Sequence, residues 1–161
     1  MIEISQVFSN IHHDNEILKL LDSNSDELHL SRIELSKNRM RKNSKNGLDL
    51  GMNFPSGTHL HDGDVLKVNE NLIVIKQMPE KTIVLKLKNN VSNDELILLG
   101  HIIGNRHKAI QLQKEKILFP IINDAELEIF KNLFHKTNSI ESIQIEERIF
   151  SPSDGADVHE H

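Results

Sequence analysis

Histidine is the residue type through which this chain could do chemistry. The 161 residues include 10 histidines and no cysteine, so a metal site here would use imidazole and carboxylate ligands and no thiolate. Three histidines stand out by position: His107 ends the stretch Gly-Asn-Arg-His, and His159 and His161 are two of the last three residues. Such a donor set suits Ni(II), Zn(II) or Cu(II) and does not suit Ca(II) or Mg(II).

His107 follows a predicted helix, and two roles are open to it. It could be a metal ligand, or it could favour the negative end of the helix dipole. His101 lies six residues earlier, which on an ideal helix is about 240° away in azimuth, so the two imidazoles do not form a ready chelate. Metal binding by His107 would need co-ligands from a second subunit across a two-fold axis, or from the tail.

The tail carries donor atoms of its own. His159 and His161 alternate, so an extended segment would place both imidazoles on one side. Ordering a flexible tail costs entropy, so a site there would be weak and exchangeable. The alternative is a solvated end that happens to carry histidine. The other histidines are predicted to be structural or solvent-facing: His12, His13, His29, His59, His61 and His135.

Motifs of the common enzyme classes are missing from the chain. We find no G-x-S-x-G, no G-x-x-x-x-G-K-[ST] and no H-E-x-x-H. The net charge of -5 argues against a nucleic-acid binder, and no apolar run approaches the length that spans a bilayer. The N-terminus lacks the basic start and apolar core of a signal peptide, so we expect a cytoplasmic protein.

The elements that would position the histidines fall into two parts, and the predicted class is α+β. Residues 1–76 alternate in hydrophobicity between turn signals and predict an all-β domain without a well-capped helix. Residues 77–150 predict the order β-α-β-β-α-β of a ferredoxin-like domain. Its first helix should start after Ser92 and stop at Gly104-Asn105 in a left-handed cap, and its second should start after Asn123. Residues 151–161 predict a flexible tail that contains histidine.

Two stretches together resemble the urease accessory protein E family, the nickel metallochaperones of urease maturation. The segment GLDLGMNFPSGTHLHDGDVL, from Gly47 to Leu66, is followed about 40 residues later by Gly-Asn-Arg-His, from Gly104 to His107. The earlier HLSRIELSKNRMRK fits the arginine-containing hairpin region of the family. The resemblance covers the chain from about residue 1 to 150.

The resemblance implies a peptide-binding-like β domain, a ferredoxin-like metal-binding domain and a homodimer formed through the second domain. It implies that the chain is no enzyme and carries Ni(II) as cargo to the urease apoprotein assembly, with the accessory GTPase of nickel insertion as a partner. His107 would bind nickel at the dimer interface, and His159 and His161 would add ligands. Zn(II) or Cu(II) could take the same donors in vitro. With only two tail histidines, a large storage capacity is not expected.

Two other functions are compatible with the residues. The β domain could bind a client segment of the urease maturation complex by strand addition, with metal binding incidental. A zinc-dependent hydrolase is the weaker alternative, because one chain does not offer three metal ligands and a general base in a recognisable pattern. Saturable binding of about one metal ion per dimer would separate a nickel carrier from a client-binding module.

Overall fold

The computed structural model describes residues 1–21 and 25–156 and shows a protein of the predicted mixed α+β class. The chain divides into two compact units, Met1–Met78 and Pro79–His161. Among the described residues, no helix is long and apolar enough to cross a membrane.

The described residues of the first unit, 1–21 and 25–78, contain two sheets. One has the strand order β1-β5-β4 and the other the order β2-β6-β7-β3. The pairs β1–β5 and β3–β7 are parallel, and the remaining pairs are antiparallel. The elements in chain order are β1 (Ile2–Ile4), β2 (Ser9–Asn10), α1 (Asn15–Leu20), β3 (Asp26–Leu30), α2 (Arg32–Leu35), β4 (Arg39–Asn43), β5 (Asp49–Asn53), β6 (Asp64–Val68) and β7 (Asn71–Gln77).

The prediction that residues 1–76 form strands only is wrong, because α1 and α2 interrupt them. The side chain of Asp14 accepts hydrogen bonds from the backbone N–H groups that open α1. Ser31 and Glu34 form a complete capping box around α2. Leu35 on α2 is 7% exposed, so this short helix buries one apolar side chain. A bend in an extended strand was expected at this position.

The main core of the first unit is formed by residues from both of its sheets. It is built from fully or nearly buried aliphatic side chains, such as Leu28, Leu50, Leu66 and Ile75. The predicted Asn46-Gly47 turn joins β4 to β5, and Gly47 has a φ of 88°, a conformation that favours glycine. This hairpin carries four basic residues, Arg39, Arg41, Lys42 and Lys45. Arg41 on β4 is bound to Asp49 on β5 through two hydrogen bonds of 2.8 Å each.

Over its described residues, 79–156, the second unit is one antiparallel sheet with two helices. Its elements are β8 (Glu80–Leu87), α3 (Asn93–Gly104), β9 (Gln111–Gln113), β10 (Lys116–Pro120), α4 (Asp124–Phe134) and β11 (Ile140–Arg148). The strand order is β11-β8-β10-β9, so the first and third strands are central.

Alternate residues of the central strands face two different cores. Ile83 and Leu85 pack with the buried faces of α3 and α4. In the same core, Phe119 of β10 and Phe130 of α4 contact each other at a centroid distance of 4.7 Å, with their rings tilted by 55°. Val84 belongs to a second, smaller cluster with Ala109, Leu118 and Phe150. The period-2 alternation of a strand therefore gives the sheet apolar contacts on both faces. The segment that follows α3 takes part in the smaller cluster through Ala109.

Candidate metal centre

His107 lies just beyond the end of α3. The helix begins after Ser92, whose side chain accepts a hydrogen bond of 3.3 Å from the backbone N–H of Glu95. Leu99 and Ile103 are 0% and 1% exposed and fix which face of α3 meets the sheet. The cap sets where the helix begins, and the buried residues set how it lies on the sheet.

The backbone turns into the left-handed region at His107 itself. α3 ends at Gly104 as predicted, but Asn105 has a right-handed φ of −62°. The backbone N–H of Arg106 donates to the Ile103 carbonyl at 3.1 Å, and that of His107 donates to the Gly104 carbonyl at 2.9 Å. These bonds add one tight turn, so the left-handed φ of 51° falls on His107. The prediction of a left-handed cap at Gly104-Asn105 is therefore wrong.

A left-handed conformation at a residue with a Cβ costs about 1 kcal/mol, and such residues cluster at ligand sites. The imidazole of His107 is exposed and makes no hydrogen bond or ion pair with residues 1–21 or 25–156. The backbone next to it is anchored, because Lys108 forms an ion pair with Glu126 of α4 and Ala109 is buried. The site thus combines a fixed backbone with an imidazole whose nitrogens are available to a metal ion.

His101 is engaged in a different contact. Its Nε2 lies 2.9 Å from the side-chain nitrogen of Asn105. An amide NH₂ can only donate, so the Nε2 of His101 acts as the acceptor and its lone pair is used. His101 would have to give up this bond to ligate a metal through Nε2, which agrees with the expectation that it is no ready chelate partner for His107.

The metal site is incomplete within the part of the chain that the structure describes. No group of three or more His, Asp or Glu side chains there could hold a metal ion. The two predicted tail ligands, His159 and His161, lie outside the described residues. Any tight site on His107 therefore needs donors from the end of the chain or from another molecule.

The chain comes back beside the His107 segment at residues 153–156, which we call the tail turn. The backbone N–H of Ala156 donates to the Ser153 carbonyl at 2.9 Å and closes the turn, and Gly155 supplies a φ of 73°. Phe150, just before the turn, is 1% exposed and packs against Ala109.

Three further hydrogen bonds hold the tail turn against the start of β9. The backbone N–H of Ser153 donates to the Ile110 carbonyl at 2.9 Å, and that of Ile110 donates to the Ala156 carbonyl at 3.2 Å. The backbone N–H of Leu112 donates to Oγ of Ser153 at 2.8 Å. The prediction of a flexible tail from residue 151 did not include these contacts, so residues 153–156 differ from it. The Asp154-Gly155 pair is a turn signal from which the turn could have been inferred.

His12 and His29 of the first unit each lie close to one carboxylate. His29 Nε2 lies 2.9 Å from Glu27, and His12 Nε2 lies 3.4 Å from Asp62. The hydrogen bond from His29, followed by that from Lys45, lowers the pKa of the Glu27 carboxyl. None of these pairs belongs to a group of three or more possible ligands among the described residues.

The Asp62-Gly63-Asp64 motif is structural. An Asp62 oxygen accepts a 2.7 Å hydrogen bond from the backbone N–H of Gln77, and an Asp64 oxygen accepts one of 2.7 Å from that of His61. Gly63 has a φ of 84°, and a Cβ there would lie 2.5 Å from the His12 ring. The motif therefore uses its carboxylates to tie the loop before β6 to neighbouring backbone.

Residues 4–76 match the family model described as the N-terminal domain of the UreE urease accessory protein. The curated relatives include proteins named "Urease accessory protein UreE" from Yersinia pestis (strain Pestoides F) and Yersinia pseudotuberculosis serotype O:1b (strain IP 31758). Each is 35% identical over 132 residues, which is 75% of this chain.

These matches confirm the resemblance of the chain to the urease accessory protein E family. The chain spans 57% of the length of these relatives. The family model ends at residue 76, before α3 and His107. The likeness to the family therefore rests on the first unit and on the overall identity, and a role for His107 has to be argued from its own surroundings.

Proposed function

We propose that this chain is a nickel metallochaperone that carries Ni(II) to the urease apoprotein in the cytoplasm and catalyses no reaction itself. Its partners are a second copy of the chain, the urease apoprotein assembly and the accessory GTPase of nickel insertion. The relatives' name, urease accessory protein, supports a role in urease maturation. The observation that carries the nickel proposal is the exposed imidazole of His107, which has no partner among residues 1–21 and 25–156 and lies on an anchored, left-handed backbone.

A carrier must bind its metal and also release it. A single imidazole from one chain is too weak a site to retain nickel, whereas a full set of protein ligands would release it slowly. Sharing the ion between two copies gives an affinity that a partner protein can overcome. The lack of a three-ligand group among the described residues fits this division of the site.

The outer face of α3 supports dimerisation next to His107. At 100° per residue, Ile97, Gly100 and Gly104 lie within about 60° of one another, on a face centred about 110° from the buried Leu99 and Ile103. Ile97 is 70% exposed, and a Cβ added at either glycine would meet nothing within 4 Å. An exposed apolar residue beside two glycines allows the backbone of a second helix to approach closely. We propose that a second copy packs here in an isologous contact, which brings the two His107 residues together.

The element orders support the finer domain assignments. We propose that the second unit is a ferredoxin-like metal-binding domain, which is supported by its β-α-β-β-α-β order and by the central positions of its first and third strands. We propose that the first unit is a peptide-binding-like domain that contacts the partners, which is supported by its match to the UreE N-terminal domain.

A Ni(II) titration with native mass measurement tests the proposed function. We expect saturable binding of one ion per dimer, with the ion lost on acidification because imidazole must be neutral to bind. Zn(II) or Cu(II) should compete for the same donors. If the titration shows no saturable binding of nickel, the result would favour the alternative, a client-binding module of the maturation complex.

A further inference from the structure

We propose that Lys108 is a positioning residue of the nickel site. Its ion pair with Glu126 holds the backbone of His107 in the left-handed conformation before metal binds. The start of α4 then belongs to the site although it supplies no ligand. The inference rests on the proposed function for what the imidazole binds, but its conformational part concerns the metal-free chain and is tested by itself.

The left-handed backbone of His107 needs support from its surroundings. A residue with a Cβ prefers the right-handed region by about fivefold to thirtyfold, so a φ of 51° persists only where neighbouring contacts fix it. On the N-terminal side, the N–H of His107 donates a hydrogen bond of 2.9 Å to the Gly104 carbonyl. On the C-terminal side, the next residue is Lys108, which is bound to Glu126. These two contacts hold the turn from both sides.

Glu126 is a fixed partner for Lys108, because the start of α4 holds it in place. Its Oε2 accepts a hydrogen bond of 2.8 Å from the backbone N–H of Ile122, and its own N–H donates to Oδ1 of Asn123 at 3.1 Å. Its Oε1 lies 2.5 Å from Nζ of Lys108. One carboxylate therefore links the N-terminal cap of α4 to the residue that follows His107.

The ion pair of Lys108 and Glu126 is shielded from solvent. Its two side chains are 13% and 21% exposed. Those of Lys81 and Asp124, which form another ion pair at the start of α4, are 33% and 78% exposed. Solvent and salt screen a shielded pair less, and removal of one partner would leave the other charge poorly solvated. The shielded pair is therefore the firmer restraint.

The conformation of His107 decides where its imidazole lies relative to α3. Because Cβ turns with φ, a change from 51° to the right-handed value would swing the side chain by about 110° about the N–Cα bond. The apparent affinity falls in proportion to the fraction of chains in the binding conformation. Loss of the ion pair should therefore weaken nickel binding at least about fivefold, and more strongly where two copies share the ion.

The experiment uses the full chain and two readouts. Backbone NMR coupling constants of His107, measured without metal, report its φ, and calorimetry with Ni(II) reports the affinity. Lys108→Met removes the charge, and Lys108→Arg keeps it. Glu126→Gln removes the partner charge but keeps an oxygen that can accept from Ile122, so the cap of α4 is preserved. The matched control is Lys81→Met, which breaks the more exposed ion pair at the start of α4.

We expect Lys108→Met and Glu126→Gln to shift the coupling constants of His107 toward right-handed values and to weaken nickel binding at least about fivefold. The double variant should lose no more than either single variant, because both changes remove the same contact. Lys108→Arg and Lys81→Met should match the wild type in both readouts.

The inference is overturned if Lys108→Met leaves either the coupling constants of His107 or the nickel affinity unchanged. It is also overturned if Lys81→Met weakens binding as much as Lys108→Met does. Unchanged nickel affinity in His107→Ala would refute the proposed function instead, and the coupling constants would still decide whether Lys108 fixes the backbone of His107.

Discussion

The side-chain amide of Asn105 donates a hydrogen bond of 2.9 Å to Nε2 of His101, one helical turn earlier on α3. Because this bond uses the lone pair of Nε2, His101 should contribute little to nickel binding. We predict that His101→Ala changes the nickel affinity, measured by calorimetry, by less than about twofold. The corresponding free energy is smaller than the net contribution of one hydrogen bond. If His101→Ala weakened binding as strongly as His107→Ala, His101 would be a ligand and the Asn105 contact would have to break on loading.

The outer face of α3 yields a prediction about oligomeric state. Ile97 is 70% exposed and lies in the face where we propose that a second copy packs. Ile97→Glu should convert the dimer to a monomer in analytical ultracentrifugation, because two copies of the carboxylate would be brought together without compensating charge.

The matched control is Ile33→Glu on α2 in the first unit, where the isoleucine is 53% exposed. This variant should sediment like the wild type. If both variants dimerise normally, the interface lies away from α3, and the shared site on His107 loses its structural basis.

Gly100 gives a prediction in which stability and dimerisation move in opposite directions. A glycine inside a helix costs about 0.5–1 kcal/mol relative to alanine, and the Cβ added at Gly100 would meet nothing within 4 Å. In the Ile97→Glu background, Gly100→Ala should therefore raise the free energy of unfolding in urea by about that amount. In the otherwise wild-type chain it should weaken the dimer, because the added methyl group keeps the second helix further away. Unchanged dimerisation would show that no close helix contact forms there.

The capping box of α2 predicts a dependence of stability on pH. Burial raises the pKa of the Glu34 carboxyl, but hydrogen bonds from Lys42 and from Ser31 outweigh it, so the pKa is lowered from 4.5. A carboxyl with a lowered folded-state pKa stabilises the protein above its unfolded-state pKa, and this contribution disappears as the pH falls through the folded-state value.

Lys42→Met should therefore lower the free energy of unfolding by about 1 kcal/mol at pH 7 and by less at pH 3, as measured in urea. Lys42 Nζ contacts both oxygens of Glu34, at 2.7 and 2.8 Å. The control is Lys37→Met, because the Lys37 side chain is exposed and makes no ion pair with the described residues. An equal loss at both pH values would contradict the argument.

Local signals predicted the second unit well. Ser92 and Asn123 begin α3 and α4 as their capping patterns indicate. Such signals act over three or four residues, and the helices they start are long enough to show an apolar stripe. Ser31 and Glu34 carry the same signal, but α2 is only four residues long, so no stripe distinguishes it from a bent strand.

Long-range features could not be inferred from local patterns. The parallel pairs β1–β5 and β3–β7 join distant segments, and alternation alone does not specify a partner strand. The left-handed conformation at His107 depends on how tightly α3 ends, because Gly104 and Asn105 could each have taken it. The tail turn is held by backbone groups of Ile110 and Leu112. Every residue type has such groups, so the sequence does not indicate that these two residues are the partners.

The central claim is that His107 holds nickel in a site shared between copies of the chain. It is tested most directly by Ni(II) calorimetry of the wild type, of His107→Ala and of His135→Ala, with the oligomer mass measured for each. His135 is an exposed histidine just after α4 and serves as the matched control. We predict that His135→Ala binds one ion per dimer like the wild type. His107→Ala should keep its dimer mass and lose at least about tenfold in affinity. Wild-type affinity and stoichiometry in His107→Ala would contradict the account.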